Sequence, residues 1–312
     1  MKILGILKNR SKKEDIIQTG NSSLVGIKDF LVANATHSIC ELEKSEGKLI
    51  NVEELPSINF TNFINTFDKI ISFGNTYSIF NSYYNKHPEK FIFLEGPLYQ
   101  RDPFKSLVNH NYFRIMLSTH LGNNYIKKYY NNNIRSCFNF TKKNIRGEEH
   151  ILLINNDMTN DNAVDQLKPF SWIEETISKV INKTSKKIII RLHPNQLKIS
   201  EGWIQKIGYE TNHKVQLSKN KYIIDDIKKS SLAIMYSSGA CVECLLNGIP
   251  VISTDPKSFC YELLPKNLDH FDSFDNIDLP EINGLLSAIS NTHFTVGEII
   301  SGEFWKILKK FK

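Results

Sequence analysis

The chain has 312 residues, 41% apolar and 11% aromatic, and its 39 Lys and Arg against 33 Asp and Glu give a net charge of +6. This length predicts two domains at about 100 to 200 residues each, and the composition excludes an intrinsically disordered chain. The lysines are dispersed and no nucleic-acid-binding motif occurs, so we expect no nucleic-acid partner. No apolar run is long enough to span a membrane, and the N-terminal residues lack the apolar core of a secretory signal, so we expect a cytoplasmic protein.

Short apolar strands alternate with helices in both halves of the chain, a pattern typical of α/β folds with buried parallel strands. In the first half the sequence predicts strands at residues 2–7, 38–41, 69–72 and 91–94 and helices near 61–67 and 77–85. In the second half it predicts strands at 150–154, 187–192, 207–210, 232–235 and 251–253 and helices near 170–182, 222–229 and 241–246. The polar stretch 129–147 between the two halves is predicted to be a linker.

The predicted architecture is therefore α/β, with two Rossmann-like domains that face a cleft. We expect the N-terminal domain at residues 1–147, the C-terminal domain at 148–297 and a basic amphipathic helix at 298–312. In that last segment Phe304 and Leu308 recur at helical spacing among lysines. Two interpretations stay open: the helix packs on the protein, or it contacts the anionic inner face of the cytoplasmic membrane.

The candidate chemistry lies where predicted strands end, since open α/β sheets bind ligands at the carboxyl ends of their strands. No G-x-G-x-x-G follows the first strand and no G-x-x-x-x-G-K-[ST] occurs, which excludes the usual dinucleotide and P-loop sites. Ser237, Ser238 and Gly239 follow one strand and open a helix that carries Glu243. Such a turn either binds a phosphate or caps the helix.

Three further strand ends carry polar residues. Arg191 and His193 end the strand at 187–192, where Pro194 forces a turn, and their positive and hydrogen-bonding character suits a phosphate. Glu95 ends the strand at 91–94. The loop after the strand at 150–154 holds Asp157, Asp161 and Asp165. The segment after Glu95 holds Arg101 and Arg114, which either bind an acidic acceptor or form surface salt bridges.

In this order the motifs resemble the bacterial capsule polysaccharide biosynthesis family, which comprises Kdo-transferring and related CMP-sugar glycosyltransferases. They span residues 91–254, about half of the chain. The motifs concerned are Glu95-Gly96, the loop with Asp157 and Asp161, the strand end Arg191-x-His193-Pro194, and Ser237-Ser238-Gly239 with Glu243 and Gly248-x-Pro250-Val251. The sequence departs from the family where Leu94 precedes Glu95 in place of a second acid.

The resemblance implies a GT-B glycosyltransferase that moves an acidic sugar, Kdo or a nonulosonic acid, from its CMP donor to a saccharide acceptor. It implies acid/base catalysis by Glu95 and, in a retaining mechanism, a covalent intermediate on Asp161. Arg191, His193, Ser237, Ser238, Gly239 and Glu243 would bind the donor. Because no Asp-x-Asp triplet occurs, we expect no metal and no cofactor besides the CMP-sugar substrate.

Two alternatives remain at this level. A GT-B transferase could use a UDP- or GDP-sugar, because Glu243 could bind the ribose of any nucleotide. The same scaffold could also serve a nucleotide-sugar epimerase or binding protein, because a fold alone does not fix a function.

Overall fold

A computed structural model describes residues 1–7, 26–56, 59–74, 83–99, 111–118, 124–131, 133–145, 147–155, 171–193, 197–256, 258–263 and 268–311. The chain divides into two compact α/β units. Unit 1 comprises Met1–Leu121, Tyr125–Arg135 and Ser287–Lys312, and unit 2 comprises Gly122–Asn124 and Ser136–Leu286. Each unit has its own sheet, which confirms the predicted fold class.

The described strands and helices follow in chain order. The strands are β1 (Lys2–Leu7), β2 (Glu46–Asn51), β3 (Lys69–Phe73), β4 (Phe91–Glu95), β5 (Phe113–Leu117), β6 (His150–Ile154), β7 (Lys187–Arg191), β8 (Val215–Leu217), β9 (Ser230–Met235), β10 (Val251–Ser253) and β11 (His293–Phe294). The α-helices are α1 (Ile27–Glu43), α2 (Phe60–Asn65), α3 (Tyr125–Tyr129), α4 (Ser171–Val180), α5 (Leu197–Glu210), α6 (Ile223–Ile227), α7 (Ala240–Leu246), α8 (Asn283–Thr292), α9 (Val296–Ile300) and α10 (Glu303–Leu308).

The sheet of unit 1 has the strand order β2-β1-β3-β4-β5-β11. Strands β1 to β4 are parallel, whereas β5 is antiparallel to β4 and β11 is antiparallel to β5. Residues 38–41, predicted as a strand, lie inside α1, and β2 follows instead. The strand prediction was wrong because Leu31, Ala35 and Ile39 are buried at the four-residue spacing of a helix.

The sheet of unit 2 is entirely parallel, with the strand order β10-β9-β6-β7-β8. The predicted strand at 207–210 is wrong, since these residues end α5 and the neighbouring strand is β8. Ile204 and Ile207 of this helix are buried in the core cluster of the unit. A Cβ at Gly208 would lie 3.1 Å from the carbonyl oxygen of Val215, so the helix passes the strand at close range.

The C-terminal segment belongs to unit 1. The boundaries of the two units therefore differ from the predicted domain boundaries at residues 147 and 297. The chain crosses into unit 2 between Arg135 and Ser136, inside the stretch expected as linker, and returns between Leu286 and Ser287. The return adds β11 to the edge of the sheet beside β5. Thr295 and Glu298 then form a capping box that starts α9.

The apolar side of the C-terminal helix α10 is covered by unit 1. Phe304, Trp305 and Leu308 are buried, and the Trp305 indole nitrogen donates a hydrogen bond of 2.6 Å to Glu43. Lys309 lies 3.0 Å from the same carboxylate. This arrangement agrees with packing on the protein, because the apolar side chains that would enter a membrane are already in the core. Within the described part of the chain, no helix has the length and apolarity to cross a bilayer.

Phe304→Ala should therefore lower the free energy of unfolding by about 3 to 5 kcal/mol, the usual cost of truncating a buried Phe. Lys306→Ala on the solvent side of the same helix is the matched control and should change it by less than about 0.5 kcal/mol. Urea denaturation of both variants measures the difference. Equal stability of the two variants would contradict the packing described here.

Candidate functional site

The candidate donor residues follow strands whose carboxyl ends lie at one edge of the sheet of unit 2. Central strand β6 pairs with β7 on one side and β9 on the other, so the direction of strand addition reverses beside β6. Ligands of open α/β sheets bind at such a switch point. Asn155 follows β6, His193 lies two residues beyond β7, and Ser237 lies two residues beyond β9. All three therefore lie at the edge of the sheet where open α/β folds bind their ligands.

In the serine turn between β9 and α7, Ser238 accepts hydrogen bonds from the first main-chain amides of the helix. The hydroxyl of Ser238 accepts a hydrogen bond of 3.3 Å from the Ala240 amide, and its carbonyl accepts one of 3.2 Å from the Cys241 amide. Gly239 is the N-cap residue of α7 and supplies no side-chain cap. Ser237, Ser238 and His193 are half-buried, so each lies near the protein surface. These hydrogen bonds to the start of α7 therefore use part of the hydrogen-bonding capacity of Ser238. The role of this turn in binding the sugar donor stays a prediction.

Glu243 lies in the first turn of α7 and is half-buried. The two thiols beside it, Cys241 and Cys244, are completely buried, and burial raises the pKa of both well above its usual value. Both thiols stay protonated near neutral pH and are unsuited to act as nucleophiles. All five cysteines of the chain are free.

Arg191 is held by an ion pair inside unit 2. Its Nη1 atom lies 2.9 Å from Oδ2 of Asp226, and it also donates to the carbonyl oxygen of Asn220 at 2.5 Å. Its Nη2 atom donates to the carbonyl oxygen of Lys221 at 2.8 Å. The guanidinium is therefore held by Asp226 and by the segment before α6. The donor-binding role of Arg191 stays a prediction.

The buried partner of this pair, Asp226, is the residue that sequence reasoning missed. Its carboxylate also accepts hydrogen bonds from the side chains of Ser218 and Asn220. Only 2% of the Asp226 side chain is exposed. The signal in the sequence is weak, since the adjacent pair Asp225-Asp226 indicates a helix start and no specific partner.

Glu95 ends β4 in unit 1, where it lies opposite Arg114 on the antiparallel strand β5. The Arg114 guanidinium contacts the Glu95 carboxylate. Burial lowers the pKa of Arg114 to about 10, so it stays protonated at neutral pH. Arg114, considered from the sequence as an arginine for an acidic acceptor, is thus the charge partner of Glu95.

The remaining candidates cannot be placed in the same way. Asp157, Asp161, Asp165, Pro194 and Arg101 lie outside the described residues. In the part of the chain that the structure describes, no group of three His, Cys, Asp or Glu is arranged to hold a metal ion.

The sequence matches no protein-family model, and it has no match among curated proteins. Among solved structures it is similar to KpsC, a β-Kdo 2,7 transferase of Thermosulfurimonas dismutans, with a TM-score of 0.50 and 12% identity over 88% of this chain and 96% of that chain. The β-Kdo 2,4 transferase structure of the same protein gives a TM-score of 0.47 and 11% sequence identity, over 97% of this chain and 98% of that chain. The UDP-GlcNAc 2-epimerase of Methanocaldococcus jannaschii gives a TM-score of 0.33 and 14% sequence identity, with 100% of each chain covered.

The chain has a GT-B-type fold. This statement rests on the two parallel-stranded units and on the first of these similarities. At 12% identity the similarity concerns the fold and leaves substrate and reaction to the residues of the site.

Replacing Asp226 by Ala should lower the free energy of unfolding by about 3 to 5 kcal/mol, because it leaves the Arg191 charge without its carboxylate. Asp225→Ala in the same helix turn is the matched control and should cost less than about 1 kcal/mol. Chemical denaturation measures both. An Asp226→Ala variant as stable as its control would contradict the structural role of this ion pair.

Proposed function

We propose that this chain is a GT-B glycosyltransferase that moves an acidic sugar, Kdo or a nonulosonic acid, from its CMP donor to a saccharide acceptor in surface polysaccharide synthesis. The observation that carries the proposal is that His193 and Ser237 follow neighbours of β6 at the switch point of unit 2. Supporting it are the order of the motifs along the chain and the fold similarity to a protein named as a Kdo transferase.

On the donor side, His193, Ser237, Ser238 and the Gly239 main chain would bind the phosphate of CMP, and Glu243 would bind the ribose. Departure of CMP leaves negative charge on its phosphate, which hydrogen-bond donors fixed at that point stabilise. Histidine and serine can both donate such bonds. Arg191 would act indirectly, since its contacts with Asn220 and Lys221 hold the loop that follows β8.

On the acceptor side, Glu95 would take the proton of the attacking hydroxyl. The contact with Arg114 holds the Glu95 carboxylate in place, and an ionised carboxylate can accept a proton. In the retaining version of the reaction, the Asp161 carboxylate first attacks the anomeric carbon and CMP leaves, and the acceptor hydroxyl then displaces Asp161. In an inverting version, the acceptor attacks directly with Glu95 as the base. The configuration of the product separates these two routes.

A thermal-shift panel of CMP, CDP, UMP, UDP and GDP tests the donor nucleotide. CMP should stabilise the protein by about 2.7 kcal/mol at a hundredfold excess over its Kd, because it binds the folded state alone. His193→Ala should lose most of this shift, whereas the exposed His270→Ala in the same unit should keep it. Stabilisation by UDP or GDP in preference to CMP would contradict the proposed donor.

Metal chelation should leave transfer activity unchanged. The proposed phosphate ligands are side-chain and main-chain donors, and no Asp-x-Asp triplet occurs in the sequence. Initial rates measured with CMP-Kdo in excess EDTA and in added Mg²⁺ or Mn²⁺ should agree within about twofold. A strict requirement for either ion would assign Asp157 and Asp161 to metal binding and overturn the proposed mechanism.

A further inference from the structure

Three polar residues form a row across the last three strands of the unit 1 sheet. Glu95 on β4 lies opposite Arg114 on β5, and Arg114 lies opposite His293 on β11. The Arg114 side chain is 6% exposed and His293 is completely buried. Glu95 is separated from His293 by almost the whole of unit 2 along the chain. Long-range strand pairing therefore brings the C-terminal return to the neighbourhood of Glu95.

Arg114 supplies the positive charge in this row. Its contact with Glu95 uses Nη2, and the β4–β5 ladder fixes the two Cα atoms in register. A buried guanidinium is costly unless a carboxylate compensates its charge. The Glu95 carboxylate is therefore held in one place by this contact.

His293 supplies a neutral hydrogen-bonding ring. Its Nε2 atom accepts a hydrogen bond of 2.8 Å from the Leu98 amide, and its Nδ1 atom lies 2.9 Å from the carbonyl oxygen of Ile289. Burial, together with the charge of Arg114, lowers the pKa of His293 to about 3. The ring is therefore neutral near pH 7, with its proton on Nδ1 to donate to Ile289. It anchors the main chain three residues after Glu95.

Two positive charges, those of Arg114 and Arg135, act on the His293 ring, and both lower its pKa. Tyr125 on α3 is buried with its hydroxyl 2.6 Å from Thr292, and burial raises its pKa to about 12, so it is neutral. Arg135 also faces His293, where its Nη1 donates to the His293 carbonyl oxygen at 3.0 Å, but its charge is paired with Glu298.

We infer that Arg114 and His293 are positioning residues for Glu95, and that β11 completes the acceptor-side site. Arg114 orients the Glu95 carboxylate, and His293 fixes the segment 96–98 that follows it. The catalytic meaning of this arrangement rests on the proposed function, in which Glu95 is the base. The arrangement itself is measurable in the protein without any substrate.

The first test is titration of the Glu95 carboxyl carbon by NMR in the full-length protein. In Arg114→Gln this carboxyl should titrate about one unit or more higher than in the wild type, because an adjacent Arg favours the ionised form. Arg114→Lys should restore most of the difference. Arg135→Gln, which breaks another ion pair of the same unit, is the matched control and should leave Glu95 unchanged. An unchanged Glu95 titration in Arg114→Gln would overturn the inference.

The second test is hydrogen exchange at the Leu98 amide. His293→Phe should lose protection at this amide, and His293→Gln, whose side-chain oxygen can accept the same bond, should keep it. Should the Phe variant fail to fold, the ¹⁵N signals of wild-type His293 decide the point. They should show a neutral ring protonated on Nδ1 down to about pH 5. A charged ring at that pH, or a proton on Nε2, would overturn the inference.

Activity separates this inference from the proposed function. Arg114→Gln should lower kcat up to about 100-fold with the KM for the donor unchanged, because the carboxylate is displaced while the donor side is intact. Normal kcat in a variant with a displaced Glu95 titration would also overturn the inference. If the NMR results are as expected but no CMP-sugar is turned over by the wild type, the proposed function fails and the structural assignment of Arg114 and His293 stands.

Discussion

Strands that are buried on both faces can offer polar side chains to a ligand only where they end. In unit 2 all five residues of β6 are buried, and its neighbours carry Ile188, Ile190, Leu232 and Ile234 into the same core. An unpaired ionised group inside this layer would lose its hydration without compensation. The candidate polar residues of this unit accordingly lie beyond the carboxyl ends of the strands, at Asn155, His193 and Ser237. The position of the candidate site follows from this constraint.

An arginine in or at the end of a strand can be engaged by a carboxylate of its own unit, and two arginines of this chain are. Arg191 ends β7, yet Asp226 and two main-chain carbonyls use its guanidinium. Arg114 lies within β5, where it is more deeply buried, and its contact is with the carboxylate that ends β4. The first pair stabilises a loop of unit 2. The second holds a candidate catalytic group, and β11, which completes the row, comes from the far end of the chain.

The sequence predicted seven of the strands closely because their apolar runs end at clear turn signals, as at β6 and β10. It missed β2, which is a largely exposed edge strand, β5, which contains Arg114, and the three-residue β8. It assigned 38–41 and 207–210 to strands because a short apolar run does not distinguish a buried helix from a strand. The position of His293 could not be predicted, because only strand pairing brings it beside Arg114 and no local sequence pattern indicates that pairing.

We propose that this protein transfers an acidic sugar from a CMP donor. An NMR time course of the purified protein tests this with CMP-Kdo, a CMP-nonulosonate or UDP-GlcNAc, each with and without a saccharide acceptor. We expect a CMP-sugar to release CMP as a new glycosidic bond forms, and only when the acceptor is present. Conversion of UDP-GlcNAc to its 2-epimer without an acceptor, and no reaction of either CMP-sugar, would contradict it.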